Sequence, residues 1–214
     1  MPTDDVPPPL PPLYGGVLCL DFANTVDSRA ALPLEEHLHG YPDLLRWARF
    51  ASVLDDASAD RLARAADARP AAAQASHARA VELREAIFRV FAALAAGAAA
   101  APADLAIVNR AYADAIGHAD LVPAGAAFDW AWAGDDLDLA WWPVARSVVD
   151  LLTGGTTERV KVCASEEGCA GLFFDTTKNH SRRWCTMGAC GVEVKVKRQT
   201  ARRRAARTGG RVDG

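Results

Sequence analysis

The sequence predicts a mainly α fold: a helical N-terminal body with a few short strands, then a small treble-clef-like C-terminal finger in which a hairpin leads into a helix. Three observations carry this reading. Apolar residues between positions 40 and 152 recur at helical spacing. Strand-like alternation is confined to short stretches. Four of the five cysteines fall within 28 residues near the C-terminus. A chain of 214 residues can build one good core with a small appendix.

The elements follow in order. Residues 1–12 are acidic and carry Pro7-Pro8-Pro9 and Pro11-Pro12, the composition of an extended, disordered tail. The apolar run Val17–Phe22 fits either a strand or the start of a buried helix, and Cys19 within it reads as a small buried hydrophobe. Asp43 is placed to cap a helix through Leu44, Leu45, Trp47, Ala48 and Ala51. Ser58 is placed to cap another that stops before Pro70. Leu83, Ile87, Val90, Phe91 and Leu94 mark a long helix from about residue 73 to residue 96, ended by Gly97. Pro102 opens a further helix with Leu105, Val108, Tyr112 and Ile116 on its apolar face. Phe128, Trp130 and Trp132 alternate as in a strand, and a last helix of the body spans residues 137–152, with Pro143 at its first turn or at a kink. Thr153-Gly154-Gly155-Thr156 is the expected divide. The domains are then a body at 13–154, a finger with a basic helix at 155–208 and a tail at 209–214.

Charge divides at the same place. Residues 1–154 hold 11 Arg and no Lys against 21 Asp and Glu, a net of −10, whereas residues 155–214 hold 13 Lys and Arg against 6 acids, a net of +7. An acidic body with a basic end suggests an anionic partner for that end, against the plainer reading of a solvated tail. No apolar run approaches the ~20 residues that span a bilayer, and the N-terminus lacks a basic then apolar leader. The expected compartment is the cytoplasm, with no membrane partner.

In that reducing compartment clustered cysteines read as metal ligands rather than disulfides. Cys163 and Cys169 form one short-spaced pair, and Cys185 and Cys190 a second, with 15 residues between the pairs. Such pairs can bring four thiolates to one tetrahedral ion, and Gly168 can supply the positive-φ turn of a metal knuckle. A single structural zinc ion fits best. An iron–sulfur cluster is the alternative, although the spacings match no ferredoxin run, and neither pair has the C-x-x-C form of a redox motif. His180 lies between the pairs as a bystander. The segments Arg159–Val162 and Leu172–Phe174 read as its strands, and six residues (Val160, Val162, Leu172, Phe173, Phe174 and Trp184) supply all its apolar core, so metal must contribute folding energy. Lys178, Arg182 and Arg183 precede the second pair; Lys195, Lys197, Arg198, Arg202 and Arg203 follow it, with 195, 198 and 202 on what would be one helix face, widened by Arg203 and Arg204. Together they are candidate nucleic-acid contacts.

These residues resemble a known family, the CGNR zinc-finger proteins with an N-terminal ABATE domain. The resemblance covers nearly the whole chain. It rests on GGVLCLDFANT at 15–25, DLLRW at 43–47, LREAI at 83–87 and PVARS at 143–147, and most specifically on RVKVCASEEGCAGLFFDTTKNHSRRWCTMGACG at 159–191. It implies that Cys163, Cys169, Cys185 and Cys190 hold the metal, and that the chain is a stress-induced transcription regulator whose finger binds DNA. The sequence departs from the family pattern in two places. The first pair has five intervening residues rather than four, and Val192-Glu193 stand where Asn and Arg would follow Cys190-Gly191.

Three functions are therefore weighed. The first is a transcription regulator that grips DNA with the finger and senses a signal or partner with the body. The second is a zinc-stapled protein-interaction module whose basic helix docks on an acidic surface. An enzyme is the third and weakest, because no nucleophile–base spacing, H-E-x-x-H, P-loop or dinucleotide fingerprint is present. A small-molecule or protein effector would first be sought at Asp21 and Asn24 with Trp130 or Trp132, although Asp21 and Asn24 read better as capping or buried hydrogen-bonding groups that hold the opening segment. A homodimer is compatible with all three.

Overall fold

The structure, a computed structural model, describes residues 9–27, 29–30, 33–165 and 168–192. Six helices dominate it: α1 (Leu18–Ala23), α2 (Tyr41–Phe50), α3 (Asp56–Ala68), α4 (Pro70–Ala95), α5 (Pro102–Gly117) and α6 (Trp142–Thr153). Three antiparallel strand pairs accompany them: β1 (Val26–Asp27) with β2 (Glu35–Glu36), β3 (Asp120–Ala124) with β4 (Ala127–Ala131), and β5 (Val160–Val162) with β6 (Leu172–Phe174).

The ambiguous run at residues 17–22 resolves as helix α1, buried through Cys19, Leu20, Phe22 and Ala23. Helix α2 starts at Tyr41, two residues before Asp43. The Asp43 carboxylate instead accepts the His39 N–H at 3.0 Å, just upstream of the helix. Likewise Asp55, not Ser58, caps α3, by accepting the Ser58 N–H at 2.7 Å. Helix α4 begins at Pro70, earlier than the apolar spacing suggested, because proline needs no intrahelical partner in a first turn; Gly97 at φ +72° follows its end.

The expected helix over residues 137–152 is two elements. Asp136 caps a 3-10 turn at Leu137–Ala140 by accepting the Asp138 N–H at 2.9 Å, and α6 then starts with Pro143 in its first turn. The buried line of α5 is also rotated from the expected one. Asp104, Val108 and Ala115 face inward, since Arg89 of α4 draws the Asp104 carboxylate in with two bonds of 2.9 and 2.6 Å, leaving Leu105, Tyr112 and Ile116 half-buried.

Helix α4 is the central post. It packs against α1, α2, α3, α5 and both strands of the β5–β6 pair. Around it Trp47, Trp141, Trp142, Phe22 and Phe91 are buried, with the Phe22 and Trp47 rings 4.8 Å apart. One cation belongs to this interior: Arg84, 3% exposed, binds both carboxylate oxygens of Glu36 at 2.6 and 2.7 Å and Glu85 at 2.9 Å.

The β5–β6 hairpin is built onto this body. Strand alternation divides its side chains. Leu172, Phe174, Val160 and Val162 pack with the helices, while Phe173 turns to the other face and packs with the cysteines. The six residues expected to form a finger core thus serve two cores. The outer edge of β6 is satisfied by the body: the Asn24 carboxamide donates to the Leu172 carbonyl and accepts the Leu172 N–H, both at 2.8 Å. The Phe174 N–H donates to the Gly15 carbonyl, also at 2.8 Å. Close approach requires glycine here, because a Cβ on Gly171 would lie 2.8 Å from the Tyr14 ring.

Asn24 is 1% exposed, so its replacement by alanine leaves two buried backbone groups of Leu172 without partners. Asn24→Ala is expected to cost about 2–4 kcal/mol in denaturant unfolding of the zinc-loaded chain; a loss under 1 kcal/mol would show that water replaces the amide.

Candidate metal centre

Strand β5 delivers Cys163 directly, and its N–H donates to the Gly171 carbonyl at 2.8 Å, closing the mouth of the hairpin. The chain then turns through Gly168 at φ +84° and Ala170 at φ +49° to bring Cys169 back beside it. The second pair comes from a loop and a short π-helical turn, Met187–Gly191, which ends in the Gly191 N–H bond to the Thr186 carbonyl at 3.0 Å. Cys163, Cys185 and Cys190 are buried, and Cys169 is half-buried.

All four sulfurs lie within 4.8 Å of one another, with Cys169–Cys185 and Cys185–Cys190 both at 3.6 Å. Four thiolates ~2.3 Å from one tetrahedral ion sit about 3.8 Å apart, so the cluster is already at ligand spacing. Its proton chemistry agrees. Hydrogen bonds from Cys169 and Cys185 pull the Cys163 thiol well below its usual range, while Cys169 and Cys185 are pushed up by bonding to Cys163, and Cys190 by burial. Four thiolates this close repel one another, and a dication is what lets all four ionise. Zinc held here by Cys163, Cys169, Cys185 and Cys190 supplies folding energy and, with four protein ligands, no open coordination position.

A second layer holds the ligands. The Cys185 N–H points at the Cys163 sulfur at 3.4 Å. Asp175, with no exposed surface, accepts from Lys161 Nζ at 2.6 Å, Thr177 N–H at 2.9 Å, Thr177 Oγ1 at 2.6 Å and Arg182 N–H at 3.0 Å. Burial alone would raise its pKa, but the Lys161 ammonium and these donors outweigh it and hold the carboxyl well below the usual range. Tyr14 reaches over from the body, packs with the cysteines and donates to Asp27 at 3.2 Å. Tyr14, Lys161 and Asp175 were not read from the sequence as site residues. Only the D-x-T turn at Asp175–Thr177 hinted at one of them.

The expected nucleic-acid contacts separate in space. Arg182 turns inward: its guanidinium donates to the carbonyls of Trp184 at 2.9 Å, Phe174 at 3.4 Å and Cys185, and stacks 4.6 Å from the Phe173 ring centre. Lys178 and Arg183 are exposed on the finger. Lys195, Lys197, Arg198, Arg202 and Arg203 lie outside the described residues, as do Glu193 and the basic helix face. His180 gives its backbone carbonyl to Lys161.

The expected effector residues separate as well. Asn24 is committed to Leu172, and Asp21 accepts the Gly15 N–H at 2.7 Å. Trp130 stands on β4 opposite Leu121. Trp132 donates its indole N–H to the Ala115 carbonyl at 2.7 Å and lines a cavity that Asp21, Asn24 and Trp130 do not.

A closed, all-cysteine centre on a short hairpin defines a structural zinc finger, here carried by a helical domain. The chain belongs to the ABATE family, described as "Putative stress-induced transcription regulator", which matches residues 16–155; the CGNR zinc finger matches residues 159–203. No curated protein matches the chain. Among the described residues no helix is long and apolar enough to cross a membrane.

Two outcomes follow from this site. Asp175→Ala removes the only carboxylate partner shown for Lys161 among the described residues, leaving its ammonium on backbone carbonyls, and is expected to destabilise the zinc-loaded chain by about 3 kcal/mol in equilibrium unfolding, with weaker zinc retention in a chelator competition. Asp21 behaves oppositely: burial pushes its carboxyl up from 3.8 to about 6. Its protonated form is favoured on folding, so its contribution is intact below pH ~4 and is lost as pH rises through about 6. Asp21→Asn, which keeps an acceptor for Gly15, should therefore gain stability over the parent as pH rises from 5 to 7.5. A gap that is constant with pH in paired thermal melts would refute this.

Proposed function

We propose that the chain is a zinc-binding transcription regulator whose finger binds DNA and whose helical body senses a signal or partner. The observation that carries this reading is the joining of the two parts. The zinc hairpin takes its edge hydrogen bonds from Asn24 and Gly15 of the body, so whatever alters the body bears on the finger's orientation.

Lys178, Arg183, Lys195, Lys197, Arg198, Arg202 and Arg203 are the proposed phosphate contacts. Arg182 is a positioning residue that fixes the loop of Cys185 between them. The acidic body disfavours the polyanion, which confines contact to the finger. We place the protein in the cytoplasm and assign its metal a structural role and not a catalytic one, since four protein ligands close it.

A second reading is favoured by one feature. Val192 is 48% exposed directly after the last cysteine turn, and Glu193 follows it. An apolar and an acidic residue at that place suit docking on a protein surface more than on phosphate.

Binding of the zinc-loaded full chain to duplex DNA, measured between 50 and 200 mM salt, separates the two. If four of the named cations meet phosphates, affinity should fall about 100-fold over that range, through counterion release. Val192→Asn with Glu193→Arg should tighten binding about tenfold. Affinity that is insensitive to salt, or absent with zinc bound, would sink the DNA reading and leave the interaction module.

A further inference from the structure

A cavity of about 540 Å³ opens where body and finger meet. It is the size that small-molecule sites use. Val17 and Leu18 of α1, Leu151 of α6, Trp132 and Phe174 of β6 form its apolar wall. The Trp132 ring is fixed there by the bond from its N–H to the Ala115 carbonyl. The charged groups of the lining are Arg146 and Asp150 of α6.

Charge selects the ligand. The Arg146 guanidinium already serves two carboxylates, Asp150 at 3.1 Å and Asp129 of β4. An anion entering the cavity would meet a guanidinium whose charge two carboxylates already offset. One guanidinium against two carboxylates leaves a net negative charge in a cavity that Trp132 also lines, within a body of net −10. Asp150 is more than half exposed at its side chain and can take a second partner. An organic cation gains from Asp150 and from the face of Trp132, and its apolar portion from the remaining wall.

We propose that this junction cavity binds a small apolar organic cation, with the charged group at Asp150 and Trp132. The proposal rests on the sensing part of the function proposed above and not on the DNA part. Because Leu18 and Phe174 belong to opposite sides of the junction, a ligand touching both stabilises their contact. By reciprocity, a firmer junction binds the ligand more tightly.

Two probes of matched shape and opposite charge test this: tetraphenylphosphonium and tetraphenylborate, titrated by calorimetry into the zinc-loaded full chain without DNA. Saturable binding of the phosphonium, at least tenfold tighter than the borate, is expected. Asp150→Asn should weaken it at least fivefold, and Trp132→Ala by a similar factor, with zinc content and helical circular dichroism unchanged in the Asp150 variant. Preference for the borate, absence of saturable binding, or phosphonium binding untouched by Asp150→Asn overturns the proposal. Since no DNA is present, that failure leaves the finger's salt-dependent DNA binding standing on its own test, and the converse also holds.

Discussion

Strand β6 has one edge paired to β5 and another turned toward the body, and an unpaired buried edge is costly at every N–H and carbonyl. The whole junction answers that requirement with groups that are not strands. At Leu172 a single carboxamide supplies both donor and acceptor, so Asn24 stands in for one residue of a missing neighbouring strand. The Gly15 carbonyl takes the Phe174 N–H, and the Arg182 guanidinium reaches the Phe174 carbonyl. Asparagine is the smallest side chain with both groups in this geometry; aspartate would lack the donor at neutral pH.

Because β6 is held on that edge, its alternation can serve two interiors. Leu172 and Phe174 complete the helical core, while Phe173 forms the floor of the cysteine cluster. Strand β5 divides in the same way: Val160 and Val162 face the body and Lys161 faces Asp175. Six residues of sheet thus knit together a helical core and a metal centre, neither of which the hairpin could stabilise alone. Metal binding and body packing therefore act on the same folded state, since an ion that binds only the native cluster stabilises everything cooperatively attached to it.

What the sequence made legible was local. Cysteine spacing, Gly168, Pro102 and the apolar repeat of α4 depend on neighbours within a few turns, and their structural consequences stand where the pattern put them. What it hid depends on distance or direction. Asn24 reads from the sequence as a hydrogen-bonding group of the opening segment, but nothing near it points to a partner 148 positions away, at Leu172. Arg182 and Arg183 are adjacent and alike in composition, yet one guanidinium braces backbone carbonyls under the cysteine loop and the other sits at the surface. A charge count treats them equally; only the carbonyls left by the turn at Cys185 distinguish them. Asp175 was hidden for the complementary reason, as one acid among the cations of a basic segment, whose value is that four donors converge on it.

The departure at Val192-Glu193 can be placed on the same physical footing. Among the described residues, the groups that set the sulfur cluster lie at or before Gly191: the strand that delivers Cys163, the positive-φ turn before Cys169, the Arg182 brace, and the bond from the Gly191 N–H to the Thr186 carbonyl that closes the last turn. Val192 is the first residue past that closure and is exposed. Metal binding and partner recognition are therefore written in different residues of the same short segment, and the second can drift while the first is held by four ligands and a shared core. A finger built in this way keeps its fold when its contact surface changes, because the body, and not the partner, completes the edge of its sheet.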